Sequence, residues 1–114
     1  MIVGIGAVSG VTAEEVLAAV DAVLPAGARE VRLATLDARA AEPGIVEAAA
    51  RRGWPLVTHP AAELAAVAVP SPSASVAAAV GTPSVAEAAA LRGGGRLLVG
   101  KTVVGRVTVA VGDA

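Results

Sequence analysis

Three stretches of the chain hold residue types that can do chemistry. Gly4-Ile5-Gly6-Ala7-Val8-Ser9-Gly10 links an apolar run to a helix start marked by Thr12-Ala13-Glu14-Glu15. Glycines there let a ligand approach the main chain, and free N–H groups at a helix entrance attract an anion. The spacing departs from the dinucleotide fingerprint, and no lysine follows to make a phosphate loop. The plain alternative is a turn that is glycine-rich because it is tight. In the second stretch, Asp37, Arg39 and Glu42 follow a strand, at the edge where open α/β sheets bind ligands. They offer a carboxylate base, an anion clamp and an orienting partner, against the alternative of a solvated loop with a surface ion pair. His59, the single histidine, follows a third strand. It can serve in acid–base work, although a His before Pro more commonly caps a helix or lies at the surface.

Other chemistries are excluded by what is missing. The chain has no cysteine, so disulfides, thiolate zinc sites and thiol nucleophiles are ruled out. One histidine is too few for a metal site, and neither metal nor cofactor is expected. Ser71, Ser73, Ser75 and Ser84 lie in no nucleophile elbow, and Ser84 reads as a helix cap paired with Glu87. Trp54, between Gly53 and Pro55, reads as a packing plug.

The elements that must position these groups follow from periodicity. Met1–Ile5 reads as a buried strand. Thr12 and Glu15 form a capping box for a helix whose face is Val16, Leu17, Val20, Val23 and Leu24, stopped by Pro25 and Gly27. Glu30–Thr35 is a second strand. Pro43 opens a helix that turns Ile45, Val46, Ala49 and Ala50 inward and ends at Gly53. Leu56–Thr58 is a third strand, and His59-Pro60 begins a brief helix through about Val67. Val69–Thr82 reads as a folded loop with a short helix, and Ser84 opens an alanine-rich helix to about Arg92. Leu97–Val99 and Arg106–Val111 close the chain as a strand pair joined near Gly105. The expected fold is a three-layer α/β/α domain with a mixed sheet of about five strands, the early ones parallel and the last pair antiparallel.

At 114 residues the chain has the length of one domain, expected to span 1–114. It is 55% hydrophobic but 1% aromatic, so its core is built from Ala, Val and Leu. Nine basic against ten acidic residues give a net charge of −1, which argues against nucleic acid and against a basic membrane patch. The longest uncharged run, Leu64 to Ala86, contains Pro70, Pro72, Pro83 and Gly81, so it cannot cross a bilayer as a helix. No signal peptide is expected at Met1-Ile2-Val3-Gly4, and the expected location is cytoplasmic.

Taken together, these segments resemble a known family. Val3-Gly4-Ile5-Gly6 with Gly10-Val11-Thr12-Ala13-Glu14-Glu15, Asp37-x-Arg39-x-x-Glu42, Gly81-Thr82-Pro83-Ser84-Val85-Ala86-Glu87-Ala88-Ala89-Ala90-Leu91, Lys101 and Val107-Thr108-Val109-Ala110 run in the order of the CobE / CbiG C-terminal domain family of cobalamin biosynthesis. The Gly81–Leu91 block is the most specific. Where that family often has Cys and Arg in the first loop, this chain has Ala7, Val8 and Ser9; its usual Lys is Arg39 here.

The resemblance implies work on a corrinoid or precorrin intermediate, with other enzymes of the pathway as partners. Such a ring is broad, partly apolar and fringed with carboxylates. Helix starts after Gly10 and Gly81, with Arg39 and Lys101, would each receive one. The candidate ligand-binding set is therefore Gly6, Ser9, Gly10, Thr12, Asp37, Arg39, Glu42, Gly81, Thr82, Ser84, Glu87 and Lys101. It requires the two glycine-hinged turns and the Arg39 segment to share one concave face. Two functions are open: a binding accessory or carrier, as for free-standing CobE-like chains, or a hydrolase of the cobalt-precorrin-5A type. The hydrolase would open the ring A lactone and release acetaldehyde, with Asp37 or Glu42 as its catalytic residues.

Overall fold

The computed structural model describes residues 1–7, 10–28, 30–67, 85–92 and 94–113. The strands are β1 (Ile2–Ala7), β2 (Arg32–Leu36), β3 (Leu56–His59), β4 (Leu97–Val104) and β5 (Val107–Gly112). The helices are α1 (Ala13–Val23), α2 (Pro43–Arg52), α3 (Ala61–Ala65) and α4 (Val85–Leu91), with a 3-10 turn at Asp37–Arg39. The expected loop and helix over Val69–Thr82 lie outside the described residues, as do Ser9, Gly81, Thr82 and Ser84.

The five strands form one mixed sheet in the order β3-β2-β1-β5-β4. Parallel pairing joins β1 to β2, from Ile2 opposite Arg32, and β2 to β3, from Leu33 opposite Leu56. Helical crossovers between these strands permit that direction. The β4–β5 hairpin turns at Gly105, at φ +59°, and β5 runs antiparallel to β1 from Ile2 opposite Gly112 to Ala7 opposite Val107. This is the expected α/β/α arrangement.

Strand alternation sorts the layers. Val3, Ile5, Leu33, Val107, Val109 and Val111 are buried on one face together with Val16 and Val20 of α1 and Ile45 and Ala48 of α2. Ala34 and Leu36 share the other face with Leu64 of α3 and with Ala88 and Ala89 of α4. Leu17, Val23, Leu24 and Trp54 pack against the first cluster half-buried, so Trp54 is the packing plug expected of it. Arg52 lies 5.3 Å above its ring and also grips Asp21 of α1 with both terminal nitrogens, at 3.0 and 2.9 Å.

Helix α4 lies unusually close to the sheet. A Cβ on Gly4 would stand 1.9 Å from the Ala86 carbonyl oxygen, and one on Gly112 would stand 2.4 Å from that of Ala90. Glycine under alanine is what allows backbone to approach backbone, and Ala86, Ala88, Ala89 and Ala90 are all buried there.

Several boundaries differ from expectation for identifiable reasons. β1 continues through Gly6 and Ala7 because β5 supplies Thr108 and Val107 as partners. β2 starts at Arg32 rather than at residue 30, because Glu30 sits at φ +52°, outside extended geometry. His59 belongs to β3, paired with Leu36, and α3 begins at Ala61 behind Pro60. β4 runs on to Val104, so Lys101 lies inside a strand, in the irregular stretch between Val99 and Thr102. Helix α2 buries Gly44, Ile45, Ala48 and Ala49, leaving Val46 and Ala50 exposed. Its inward axis is set by Gly44, where a Cβ would stand 2.1 Å from the Val11 carbonyl oxygen.

Candidate functional site

The end of the sheet where β1 and β2 finish gathers much of the expected set. Thr35, fully buried near the end of β2, donates its hydroxyl proton to the Ile5 carbonyl at 2.7 Å and locks the two strand ends together. Beyond it the chain tightens into the 3-10 turn at Asp37–Arg39, whose Asp37 carbonyl accepts the Ala40 N–H at 3.0 Å. That turn projects Arg39 back toward β1, where Nε donates to the Ala7 carbonyl at 3.1 Å. Glu42, just before α2, accepts the Gly10 N–H at 2.9 Å. Arg39 and Glu42 thus hold the two described ends of the loop after β1.

A third hold comes from Arg106, which precedes β5. Its Nη2 donates to the Gly10 carbonyl at 3.1 Å, and its fork meets the Glu15 carboxylate at 2.8 and 2.5 Å. Glu15 also completes the expected capping box: its N–H donates to Thr12 Oγ1 at 3.1 Å, and its carboxylate accepts the Thr12 N–H at 3.2 Å. The hydrogen bond from Arg106, then that from the Thr12 backbone, hold the Glu15 carboxyl down at about 2. Gly10, at φ +89°, is pinned on both of its backbone polar groups in a conformation suited to glycine.

Helix α4 closes the other side. Its first residue stands over Gly6, where a Cβ would lie 3.7 Å from Val85 Cβ and 3.9 Å from the Ala86 nitrogen. One turn in, Glu87 is fully buried, and its Oε2 accepts the Lys101 N–H at 2.9 Å, tying the helix to the irregular stretch of β4. The Ser84 half of the expected cap lies outside the described residues.

The structure therefore brings Gly6, Gly10, Arg39, Glu42 and the start of α4 together, with Thr12 at the adjoining helix entrance. Lys101 joins through its backbone, two strands away from β1 in the sheet order, and its side chain is exposed. Asp37 is exposed, and no side-chain hydrogen bond or ion pair forms there among the described residues. Among those residues no group of three His, Asp or Glu gathers as a metal site would require, and no helix is long and apolar enough to cross a membrane.

Sequence reasoning missed Arg106 and Thr35. In the sequence Arg106 reads as an ordinary polar position of an alternating strand, although the structure places it in the turn before β5, and the residue it grips lies 91 positions away, so no local pattern marks it. Thr35 was legible as strand but not as a buried donor.

Comparison with known proteins bears on this arrangement. The family model described as cobalamin synthesis G C-terminus matches residues 1–112. Among solved structures, CobE, a protein from the cobalamin (vitamin B12) biosynthetic pathway, is similar at 35% identity and a TM-score of 0.84, covering 96% of this chain and 89% of that one. Cobalamin biosynthesis protein chiG from Agrobacterium tumefaciens str. C58 is similar at 38% identity and a TM-score of 0.68, covering 96% of this chain and 94% of that one. No curated protein matches the chain. With the family model matching from Met1, just before β1, to the last residue of β5, the chain belongs to the cobalamin synthesis G C-terminus family of cobalamin biosynthesis proteins.

Proposed function

We propose that this protein binds a corrinoid intermediate of cobalamin biosynthesis, as an accessory or carrier that passes the macrocycle between enzymes of the pathway. The reading is carried by one observation: the loop after β1, the Arg39 turn and the start of α4 meet at one end of the sheet. A guanidinium already oriented by its bond to the Ala7 carbonyl suits carboxylates on a broad ring, because a donor ordered in advance loses little entropy on binding. Membership of a cobalamin biosynthesis family supports a corrinoid as the ligand class.

The binding role is favoured over lactone hydrolysis by what the two candidate catalytic carboxylates do. Glu42 is engaged with the Gly10 N–H, and Asp37 stands exposed in its turn with no group among the described residues to orient it.

Hydrogenobyrinic acid, titrated against the protein and followed by visible absorption and calorimetry, tests the proposal. Saturable binding is expected, weakened about tenfold or more in Arg39→Ala, the scale of losing one charge-assisted hydrogen bond. No heat and no spectral change would overturn it. Acetaldehyde release from a lactone-bearing precorrin, abolished in Glu42→Gln, would replace the carrier role with the hydrolase.

A further inference from the structure

Away from that end of the sheet, a groove of about 370 Å3 opens on the face covered by α3 and α4, along β2 and the edge strand β3. Its volume lies within the range of small-molecule pockets, roughly 300–1,000 Å3. The strand register builds its floor: Ile2 lies opposite Arg32 and Ala34 opposite Val57, so these four side chains share one face of the sheet. Ala89 of α4 covers the floor from above. The result is an aliphatic trough, and Val57 within it is 37% exposed.

Charge is distributed unevenly around this trough. On the helix side Arg92 and Glu63 neutralise one another at 2.5 Å, joining the end of α4 to α3. On the strand side Arg32 is exposed, and among the described residues no hydrogen bond or ion pair engages its side chain. One guanidinium beside an apolar floor is therefore left uncompensated. His59 also lines the groove on the strand side, and no Phe, Tyr or Trp does so, since the single Trp packs on the opposite face of the sheet.

We propose that this groove is a second ligand site, taking a carboxylate on a short aliphatic body: the apolar part lies along Ile2, Ala34, Val57 and Ala89, and the carboxylate meets the fork of Arg32. The planar guanidinium matches a carboxylate in two parallel hydrogen bonds. The carboxylate belongs either to a free small acid or to a peripheral arm of a larger molecule seated at the end of the sheet. Nothing in the proposal depends on what binds beside Arg39.

Sodium hexanoate is the probe, followed by amide shift changes in nuclear magnetic resonance spectra at millimolar concentration. Saturable shifts are expected at Arg32, Ala34, Val57 and Ala89. Arg32→Ala weakens them at least about fivefold, and Val57→Glu, which places a negative charge at an exposed position, does the same. Both positions are solvent-facing, so a native spectrum of each variant checks folding. Arg39→Ala leaves hexanoate binding intact. Displacement of hexanoate by hydrogenobyrinic acid assigns the carboxylate to a macrocycle arm, and simultaneous binding assigns it to a free acid. Absence of shifts in the groove, or hexanoate binding unchanged in both Arg32→Ala and Val57→Glu, would overturn the proposal.

Discussion

Gly4 and Ala86 touch backbone to backbone: the position of a Cβ on Gly4 is 1.9 Å from the Ala86 carbonyl oxygen. The contact seats α4 on the central strand and thereby sets where the first residue of α4 stands over Gly6. A methyl group at position 4 has nowhere to go, because the obstacle is helix backbone rather than a movable side chain. Gly4→Ala is expected to destabilise the protein by about 3 kcal/mol, the upper range for overpacking. Thermal unfolding should register a fall of more than about 10 °C for a chain this short. An unchanged midpoint would show that α4 does not rest on β1 in this way.

Thr35→Val removes the buried hydroxyl that joins the ends of β1 and β2 while keeping the side chain's shape. The Ile5 carbonyl loses a donor that no water can replace, at an expected cost of about 1–2 kcal/mol. Urea unfolding should show a lower midpoint with an unchanged slope, since the surface exposed on unfolding stays the same. Thr35→Ser, which retains the hydroxyl, should recover most of the loss.

The succession of strands and helices was legible because it rests on local patterns. Thr12 with Glu15 announces α1, Pro43 announces α2, and Val107, Val109 and Val111 announce β5; each is readable within a few residues. What failed needed a neighbour distant in the chain. The inward face of α2 is displaced because Gly44 meets Val11, and β1 is two residues longer because β5 continues beside it. The site divides in the same way. Arg39 and Glu42 were recognisable as groups able to do chemistry, but their hold on Ala7 and Gly10, 32 residues away in each case, exists only in the folded chain.

Glu15 gives a pH dependence of definite sign. Arg106 holds its carboxyl at about 2 in the folded protein, below the ordinary 4.5. The folded form therefore binds this proton less readily than the unfolded form, and stability increases with pH across that interval. Its contribution is complete above about 4.5 and is lost as the pH falls from there towards 2. A carboxyl titration by carbon-13 magnetic resonance should place the Glu15 midpoint near the lower value. Arg106→Ala should move it upward, though not all the way, because the Thr12 N–H still donates to the same carboxylate. A midpoint unmoved by that substitution would mean that Arg106 and Glu15 are apart in solution.

Glu42 separates a positioning role from a catalytic one. Its carboxylate accepts the Gly10 N–H, and with Arg106 on the Gly10 carbonyl it fixes the exit of the loop after β1. Glu42→Ala removes one exposed hydrogen bond worth about 1 kcal/mol, so exchange of the Gly10 amide proton should accelerate about fivefold. The melting temperature should fall by a few degrees, about 4 °C. Hydrogenobyrinic acid should bind more weakly, because the loop must then be ordered on binding. Glu42→Gln keeps an acceptor oxygen and removes the charge, so both exchange and affinity should stay near those of the parent. A loop whose exchange ignores both substitutions would break the link between Glu42 and Gly10, and with it the idea that this carboxylate serves the loop rather than a reaction.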